Sequence, residues 1–512
     1  MTTFRAFLLA GTTALMLSAC GGADDIASPG EGTIVTPPGG GGGGTTPPPT
    51  GGNGTPAASC PGGTIDRGLV TSAFRNCELS GRLTADTTIQ NLPGVRYSLS
   101  GPVNVGTDIG GDGAAAGGQR VTLTIQAGTV IFASSGNDYL VVNRGSRINA
   151  AGTASSPIVF TARANVEGTT TDTSQGLWGG IILLGRAPIS NCNTAVAGGS
   201  AGCQQIIEGT TGSLYGGATA DDNSGTFTFV QIRFSGFAIA AGNELQGLTL
   251  GGVGSNTTIN NVQVHNSSDD GVEIFGGRVN LRNLAITGAD DDALDTDLGY
   301  KGFIQYVIAA QREGLGDSLI EADTAGDEDL LPRQNTRLAN FTFLYRSLVQ
   351  GGNAILLRGG TDYTMVNGIV TGPASAGSCL DIDETGGTTT RPADPALDDV
   401  GPPRFNSVVF ACANPYRADG NEASVQTIFT SAPSTNTNPR YTPTLTGGFI
   451  NGANETAVPA FDASTLSPFF ERTTYIGAVR DGADTRFAGW TCNSATLTFT
   501  GSAQNCAAAP VN

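Results

Sequence analysis

Residues 257–278 read TTINNVQVHNSSDDGVEIFGGR, and residues 279–300, which follow directly, read VNLRNLAITGADDDALDTDLGY. When the two stretches are aligned, asparagine falls on asparagine, apolar residues fall on apolar residues, and a pair of aspartates falls on a pair of aspartates. A repeat of this length is typical of one coil of a parallel β-solenoid, in which a unit buries its apolar face only by stacking on the next unit. The repeat therefore predicts an all-β solenoid in which each residue lies above its equivalent in the neighbouring coil.

The composition of the chain agrees with a solenoid built from strands and tight turns. Its 512 residues include 76 glycines, which suit turns, whereas charged residues make up only 14%. Acidic residues outnumber basic ones by 44 to 26, which gives a formal net charge of −18, and Lys301 is the only lysine. Such a balance disfavours nucleic acid as a partner and favours the recruitment of cations.

The N-terminus has the layout of a secretory signal. Arg5 precedes the apolar run 6–17, and the sequence LSAC follows at 17–20. This ending resembles the lipobox of bacterial lipoproteins, in which the cysteine becomes the lipidated first residue of the mature chain. The resemblance implies a lipoprotein signal peptide over residues 1–19 and lipidation of Cys20. The alternative is an ordinary signal peptide, with this cysteine as a bystander.

Residues 20–59 combine this lipidation site with a Gly- and Pro-rich linker that has too little apolar surface to fold. Gly21 stands where lipoproteins that are retained at the inner membrane have aspartate, so the resemblance implies sorting to the outer membrane. Lipid chains on the cysteine would hold the folded body at that membrane, on its periplasmic or its cell-surface face. We therefore predict a lipid-anchored outer-membrane protein.

The body of the chain is predicted to consist of three regions. Residues 60–118 form an N-terminal cap with the first coils, residues 119–440 form the solenoid, and residues 441–512 form the last coils and a disulfide-closed C-terminal cap. Alternating apolar and polar residues between Gly, Asn and Ser turns indicate strands in the central region. Irregular stretches near 190–225 and 385–440 are predicted to be insertions, of which the second covers the lateral face.

Several phrases of the sequence match a known class of proteins. AGTVIFA at 127–133, GSRINAAGTASSPIVFTA at 145–162 and GLWGGIILLG at 176–185 resemble secreted bacterial proteins of the pectate-lyase-like class. FFERTTYIGAV at 469–479 resembles the closing segment of lipoproteins of that class. The resemblance implies a right-handed, single-stranded parallel β-helix with N- and C-terminal caps. It does not select an activity, because this fold supports lyases, hydrolases, adhesins and binding proteins.

Nine cysteines are present, and the eight that remain when Cys20 is set aside fall into pairs that are close in sequence. Because the coils of a solenoid contact only their neighbours, we expect the pairing to be local. CxxC spacing is absent, which disfavours a metal site at these residues. The predicted disulfides are Cys60–Cys77, Cys192–Cys203, Cys379–Cys412 and Cys492–Cys506. Disulfides also match an exported protein.

A column of acidic residues is the strongest candidate for a functional feature. Successive strands contain VEIF, LDTD, IEAD and LDID, and ILLR at 355–358 brings an arginine into the series. Because side chains alternate along a strand, the acids are expected to point outward on one sheet, with coils about 4.8 Å apart, where they could bind Ca²⁺. The predicted ligands are Glu273, Asp295, Asp297, Glu321, Asp323, Asp381 and Asp383. A solvated acidic face and a catalytic set of carboxylates are the alternatives.

The clustered aspartates also permit an enzymatic interpretation, as a polysaccharide lyase or a glycoside hydrolase. Inverting hydrolysis needs a general acid and a base about 6.5–9.5 Å apart, a spacing that nearby coils supply. The candidate catalytic residues are Asp270, Asp291, Asp292 and Asp295. The sequence departs from polygalacturonases of this fold, because it lacks their Gly-His-Gly and its one histidine, His265, is predicted to point outward near a turn. Arginines are available at 312, 333, 337, 346 and 358, but no recognisable lyase motif surrounds them.

Four other residues are predicted to be structural. Asn261 and Asn283, one repeat apart, are expected to form an internal asparagine ladder. Trp178 is expected to pack in the core or at the edge of a coil, and Trp490 is expected to pack in the C-terminal cap. These positions therefore carry no predicted chemistry.

Together, the anchor, the repeat and the acidic column predict a non-enzymatic outer-membrane lipoprotein. Its acidic lateral face would bind a glycan, a surface polymer or an outer-membrane partner with the help of Ca²⁺. A polysaccharide lyase or glycoside hydrolase is the first alternative. A purely architectural or adhesive surface protein is the second.

Overall fold

A computed structural model describes residues 54–510, with the exception of 241, 325, 350 and 384–386. The predicted signal peptide, the predicted lipidation site at Cys20 and residues 20–53 of the predicted linker lie outside the described residues. Within them, a sheet of 24 strands, paired in parallel from coil to coil, winds into a right-handed β-helix, which confirms the predicted fold class.

The N-terminal part of the helix consists of ten strands of unequal length. They are β1 (Ile65–Thr71), β2 (Phe74–Leu83), β3 (Thr87–Ile89), β4 (Val95–Val105), β5 (Thr122–Ile125), β6 (Val130–Ala133), β7 (Tyr139–Val142), β8 (Arg147–Ala151), β9 (Ile158–Ala162) and β10 (Gly180–Leu184), with helix α1 (Arg163–Val166) after β9. Because β1 pairs antiparallel with β2, the first strands form a hairpin rather than a coil.

From residue 225 onward, long and short strands alternate along the chain. The long strands are β13 (Gly225–Arg233), β17 (Thr258–His265), β19 (Asn280–Thr287), β21 (Phe303–Ala310), β23 (Asn335–Leu344), β25 (Asp362–Thr371) and β27 (Arg404–Ala411). The short strands are β16 (Leu248–Gly251), β18 (Val272–Phe275), β20 (Leu294–Asp297), β22 (Ile320–Asp323), β24 (Asn353–Leu357), β26 (Ser378–Ile382) and β28 (Asn414–Tyr416). The short strands stack on β10 and β7, and we call this stack sheet 1.

A column of residues with positive φ bends each long strand in its middle. In β13 the first half pairs with β8 and the second half with β9, so the two halves belong to different sheets, which we call sheets 2 and 3. The bend residues are Phe229, Asn261, Asn283, Tyr306, Asn340, Asn367 and Ser407, with φ between 51° and 66°. Asparagine tolerates this left-handed region better than most residues.

The internal ladder predicted for Asn261 and Asn283 is therefore wrong. Both residues occupy the bend, where the requirement is a positive φ rather than a ladder of side-chain amides. The amide of Asn283 instead donates to Oδ1 of Asn260 at 2.6 Å.

The inward-facing side chains of the three sheets form one continuous apolar core along the helix axis. Leu250, Ile274 and Leu357 on sheet 1 are members of this core, and none of them is exposed. Thr296 is a polar residue in the same inward column, and Nε2 of Gln334 donates to its hydroxyl at 2.9 Å. Core residues alternate with outward-facing ones, which leaves the acids of the repeat on the outer side of sheet 1.

Helix α2 (Glu422–Thr430) closes the C-terminal end of this core. Its Phe429 is fully buried and stacks on Phe410 of β27, with ring centroids 4.2 Å apart, and it also contacts Phe405. Residues 385–440 are predicted to be an insertion that covers the lateral face. Helix α2, which lies within this range, instead forms the C-terminal cap of the core.

Residues 441–510 run back along the outside of the stack and contain no named strand. Helix α3 (Ala453–Ala457) and a short 3₁₀ turn at 463–465 lie in this stretch, and another short 3₁₀ turn lies at 395–397. We call residues 459–510 the C-terminal strap. The prediction that residues 441–512 form the last coils and the cap is wrong for the described residues, and so is the cap position of Trp490.

Side-chain amides on successive coils hold the strap by its backbone. Gln305 on β21 donates to the carbonyl of Glu471 and accepts from the N–H of the same residue, each at 2.9 Å. Gln263 makes the same pair of bonds with Cys492, at 3.0 and 2.7 Å. Asn367 makes them with Phe461. The strap thus lies on the outside of sheets 2 and 3 along these later coils.

The long segment between β10 and β16 lies outside the coil stack, apart from β13. It contains two small hairpins, β11 (Gln205–Ile206) with β12 (Leu214–Tyr215), and β14 (Phe237–Ala240) with β15 (Asn243–Leu245). Its apolar side chains, such as Ile207 and Tyr215, pack on Ile182 and Leu184 of sheet 1. The segment between β10 and β16 without β13, which we call the insertion, therefore covers the N-terminal half of that sheet.

The four disulfides connect the predicted pairs. They are Cys60–Cys77 at the first hairpin, Cys192–Cys203 in the insertion, Cys379–Cys412 between two late coils, and Cys492–Cys506 in the strap. Each pair lies close in sequence because it joins a segment to its own coil or to the next one. Among the described residues, no helix has the length and the apolar character needed to cross a membrane.

If α2 caps the core, removing its central aromatic ring should destabilise the whole helix. We expect Phe429→Ala to lower the free energy of unfolding by about 3–5 kcal/mol, because it leaves a cavity beneath Phe410. Thr430→Ala, at an exposed position of the same helix, should change it by less than about 0.5 kcal/mol. Urea unfolding followed by tryptophan fluorescence measures both. Equal effects of the two variants would contradict a capping role.

Candidate functional site

The C-terminal half of sheet 1 presents a series of acidic side chains on its outer face. Its outward positions hold Glu273 of β18, Asp295 of β20, Glu321 of β22 and Asp381 of β26. The insertion stands beside this area, with Tyr215 against Phe275 at a ring separation of 6.0 Å. The result is a cleft on sheet 1, which we call the acidic cleft.

Parallel register places the acids of neighbouring coils directly beside one another. Glu273 pairs with Asp295, Asp295 with Glu321, and Glu321 with Leu356. The predicted column thus exists, but Leu356 rather than Arg358 separates Glu321 from Asp381.

A second column lies two residues further along the same strands. Asp297 pairs with Asp323, and Arg358 follows on the next coil. The guanidinium of Arg358 lies 2.5 Å from Glu321 and 2.9 Å from Asp323. This arginine neutralises the C-terminal end of the cleft and leaves its centre acidic.

The turn before each strand of sheet 1 adds further carboxylates. Oδ1 of Asp270 accepts from the N–H of Asp292 at 2.9 Å, and Oδ1 of Asp292 accepts from the N–H of Ser318 at 2.6 Å. Each of these aspartates therefore has a structural role at one oxygen. Asp269, Asp291 and Asp317 form a parallel column at the rim, since the N–H of Asp317 donates to the carbonyl of Asp291.

Several acids of the cleft are buried, which a solvated acidic face does not explain. Glu273 and Asp270 are each 6% exposed, and Asp292 is 4% exposed. The alternative of a solvated acidic face is therefore wrong for Glu273, and the turn aspartates Asp270 and Asp292 are buried as well. Next to Glu273, the insertion residues Glu208 and Tyr215 form a wall that the repeat itself does not reveal.

Two carboxylate oxygens at the centre of the cleft are buried and accept no hydrogen bond. They are Oε2 of Glu273 and Oδ1 of Asp295. Around them, oxygens of Asp270, Glu273 and Asp295 lie within 4.8 Å of one another. A second such group consists of Asp269, Asp270 and Asp291. Oxygen-only groups of this kind match the ligand preference of Ca²⁺.

Burial and mutual repulsion raise the pKa values of the carboxyls throughout the cleft. Burial, followed by the charge of Asp291, raises the pKa of Asp269 to about 7. Burial, followed by the charge of Asp317, raises the pKa of Asp291 to about 6. The pKa values of the more deeply buried carboxyls are raised well above their usual range for the same two reasons, and these groups are Asp270, Glu273, Asp292, Asp295 and Asp297.

The structure divides the predicted residues into two sets. The candidate catalytic aspartates lie in the acidic cleft together with most of the predicted calcium ligands, and these are Asp270, Glu273, Asp291, Asp292, Asp295, Asp297, Glu321 and Asp323. Asp381 lies apart from them, because its carboxylate is bound by Arg417 at 2.7 Å and by Asn353 at 3.1 Å. Asp383, one position beyond the end of β26, belongs to the same distant coil.

Sequence reasoning missed the residues that the insertion contributes. Nε2 of Gln246 lies 3.4 Å from both Oε2 of Glu208 and Oδ2 of Asp269, so the wall of the cleft is polar and acidic too. No repeat pattern marks Glu208. Asp317 could have been found, because it follows Asp291 by one coil in the aligned turns.

The prediction that His265 points into solvent is wrong. Its side chain is fully buried, Nδ1 lies 2.9 Å from the hydroxyl of Thr287, and its ring meets Phe234 edge to face. Burial and the nearby Arg233 lower its pKa to about 3, so the ring is neutral. The segment that precedes Trp178 covers this turn, since the amide of Asn266 donates to carbonyls at 172 and 174.

The other residues considered for lyase chemistry are engaged elsewhere. Arg333 lies between Asp362 and Asp399, and Arg346 donates to the carbonyl of Thr496 in the strap. Arg337 lies over the ring of Phe303, and Arg312 contacts Asp290 at the rim. Trp178 is buried in the core, as predicted, with its indole N–H bonded to the carbonyl of Arg233.

The family of the chain follows from a comparison with models of known families. The model described as a pectate-lyase like beta helix domain matches residues 108–440. The chain belongs to the pectate-lyase-like β-helix family. Comparisons with curated proteins and with solved structures give no match. Membership of the family accounts for the coil architecture and is compatible with a role at polysaccharides, but it assigns no reaction.

The raised pKa values predict that the chelator-treated protein loses stability as the pH rises. In the folded chain Asp269 and Asp291 keep their protons up to about pH 7 and 6, whereas in the unfolded chain they lose them near 3.8. Folding therefore binds protons, and stability should fall between about pH 4 and 7. Melting temperatures measured in chelator should be lower at pH 7.5 than at pH 5.

The double variant Asp269→Asn/Asp291→Asn should make the loss of stability with rising pH smaller, and Asp221→Asn, at an exposed position outside the cleft, should leave the pH profile unchanged. A melting temperature that stays constant or rises over the same interval in the unmodified chain would contradict the assignment of the cleft carboxyls.

Proposed function

We propose that this chain is an outer-membrane lipoprotein whose acidic cleft binds a surface polysaccharide with the help of Ca²⁺. The observation that carries the proposal is the buried, unpartnered carboxylate of Glu273 beside Asp270 and Asp295. Burying a charged carboxylate without a counter-charge costs several kcal/mol, and a bound cation removes that cost. A groove that contains several buried carboxylates is suited to ligands that bind together with a cation.

The repetition of the cleft along the helix axis favours a polymer over a small molecule. Glu273, Asp295 and Glu321 repeat an outward carboxylate on three successive coils, at a spacing of about 4.8 Å. A linear polymer that lies along the axis meets an equivalent array at each coil. The family to which residues 108–440 belong supports a polysaccharide as that polymer.

Calcium is needed to make such a surface attractive to most glycans. Without a cation, the cleft repels an anionic polymer and offers a neutral one only acceptor groups. Ca²⁺ takes six to eight oxygen ligands, so protein carboxylates leave positions for sugar oxygens. The charge of the ion also inverts the local potential.

The proposed lipid anchor at Cys20 and most of the linker lie outside the described residues. Cys20 would be lipidated, and the linker would hold the β-helix on the order of 35 Å from the membrane if it behaves as a flexible coil. This distance would let the cleft reach polymers around the outer membrane, on its periplasmic or its surface side.

A polysaccharide lyase or hydrolase is the second candidate function. Burial, followed by the neighbouring carboxyl of Glu321, raises the pKa of Asp292 well above its usual range, so this aspartate holds its proton more firmly than a free one. A protonated and an ionised carboxyl side by side are the groups that general acid–base chemistry uses. Asp270, Asp291, Asp292 and Asp295 would be the catalytic residues. An architectural or adhesive role without a ligand is the remaining alternative.

A panel of acidic and neutral polysaccharides tests the binding function. Immobilised polymers should retain the protein in Ca²⁺ and release it in chelator. Glu273→Gln and Asp295→Asn should each weaken the binding by at least about tenfold, since each removes a charged cation ligand. Asp221→Asn, which also removes one exposed charge, should bind like the unmodified chain.

The same panel separates a binding protein from an enzyme. We expect no release of reducing ends and no unsaturated products over prolonged incubation. Turnover that disappears in Asp291→Ala or Asp295→Ala would replace the binding function by the catalytic one. Retention that is the same in Ca²⁺ and in chelator would refute the role of the cation.

Cys20 gives a direct test of the anchor. Cells that express the unmodified chain should incorporate labelled palmitate into it and keep it in the outer-membrane fraction. Cys20→Ala should abolish the labelling and prevent membrane retention. Labelling and membrane retention that persist in the variant would show that the cysteine is a bystander.

A further inference from the structure

A pocket of about 270 Å³ lies at the C-terminal end of the β-helix, and no carboxylate of the acidic cleft lines it. Its walls include Tyr416 of β28, Glu422 and Gln426 of helix α2, and Pro439 and Arg440 beyond the helix. Its volume is close to the lower end of the range for small-molecule sites, about 300–1,000 Å³. The pocket therefore suits a ligand of one or two amino-acid or sugar units.

The pocket lies where the stack of strands meets the helix that caps it. In the described part of the chain, β28 has a strand partner on one edge only, since it pairs with β26 and no later strand follows in sheet 1. Phe429 of α2 meets the ring of Tyr416 edge to face, with ring centroids 6.1 Å apart, and stacks on Phe410. These ring contacts fix the helix and the strand relative to each other, so the walls of the pocket are preorganised.

Two side chains of opposite charge line the pocket without a partner. Neither Arg440 nor Glu422 forms an ion pair in the part of the chain that the structure describes. By contrast, Arg417, which directly follows β28, is bound to Asp381 at 2.7 Å. The pocket therefore offers one unpaired charge of each sign to a ligand.

The hydroxyl of Tyr416 is a third polar group that lacks a partner at the pocket. It is buried and makes no hydrogen bond with the described residues, which is uncommon for a buried hydroxyl. Burial raises the pKa of Tyr416 to about 12, while the charge of Arg440 acts in the opposite direction. The hydroxyl therefore keeps its proton near a free guanidinium, and these two groups are donors of the kind that a carboxylate accepts.

We propose that this pocket binds a small zwitterion, a free α-amino acid or a dipeptide. The carboxylate of the ligand accepts hydrogen bonds from Arg440 and Tyr416, and its ammonium group pairs with Glu422. A neutral sugar would leave both charges of the pocket unpaired, and a simple anion or cation would leave one of them unpaired. The site is separate from the acidic cleft and does not depend on the proposed function.

Titration of the full-length chain in detergent with alanine and with dialanine tests the pocket, and isothermal calorimetry is the readout. Two blocked ligands test the charges one at a time, because N-acetylalanine lacks the ammonium group and alaninamide lacks the carboxylate. Each blocked ligand should bind at least about tenfold more weakly than alanine, since it loses a charge-assisted contact.

Variants of the two charged residues should change which ligand is preferred. Arg440→Gln should weaken alanine binding at least about tenfold and remove the preference for alanine over alaninamide. Glu422→Gln should remove the preference for alanine over N-acetylalanine. Arg472→Gln, which removes an arginine of the strap with a side chain 74% exposed, should bind like the unmodified chain. A purely structural role of Arg440 or Glu422 would not exchange these preferences.

Tyr416→Phe separates binding from folding. The hydroxyl has no partner among the described residues, so its removal should leave the melting temperature of the ligand-free chain unchanged. The same variant should bind alanine more weakly, because one donor to the carboxylate is lost. Its binding of alaninamide should change less.

The inference fails if neither alanine nor dialanine binds, or if the blocked ligands bind as well as alanine does. Binding of a neutral monosaccharide that Arg440→Gln weakens would also overturn it, because the pocket would then be a sugar site. None of these outcomes affects the acidic cleft, whose retention on polysaccharides is measured with other variants.

Discussion

Parallel register between successive coils is the constraint on which the rest of the structure depends. Because each strand of sheet 1 lies beside its equivalent in the next coil, a residue type that recurs in the repeat becomes a column in space. Apolar columns give the core, and Asn-rich columns give the bend between sheets 2 and 3. The same rule brings Glu273, Asp295 and Glu321 together, so the cleft is a by-product of the way the fold repeats.

That rule would be destabilising if it acted alone. Two carboxylates about 4.8 Å apart repel by roughly 3.5 kcal/mol at an effective dielectric constant of 20. The charges that compensate this repulsion differ between the two ends of the column. Arg358 and Arg417 pair with acids toward the C-terminal end, whereas no arginine or lysine of the described part of the chain forms an ion pair with Glu273 or Asp270 near the insertion. The candidate functional site therefore lies at the end of the column where the described residues do not neutralise the carboxylates.

The sequence allowed the parts of this structure that depend on neighbouring coils to be predicted. The repeat predicted the β-helix, locality predicted the disulfides, and alternation predicted the acidic column. The parts that the sequence predicts wrongly depend on contacts between residues that are far apart in the chain. Gln305 binds Glu471, which lies 166 residues further on, and no local pattern marks that pairing. For this reason the sequence predicts the lateral cover at 385–440 and the cap at 441–512, whereas the structure has these two roles the other way round. The burial of His265 and Glu273 depends on similar distant contacts and does not follow from the local pattern.

The strap has a consequence for cooperativity. In a solenoid whose coils touch only their neighbours, the ends can fray one unit at a time. Here Asn367, Gln305 and Gln263 tie one continuous segment to three separate coils, and Asn165 near the N-terminal end binds the carbonyl of Cys506. Opening any one of these coils disturbs a segment shared by all of them. The last residues of the chain thus turn a one-dimensional array into a unit that melts as a whole.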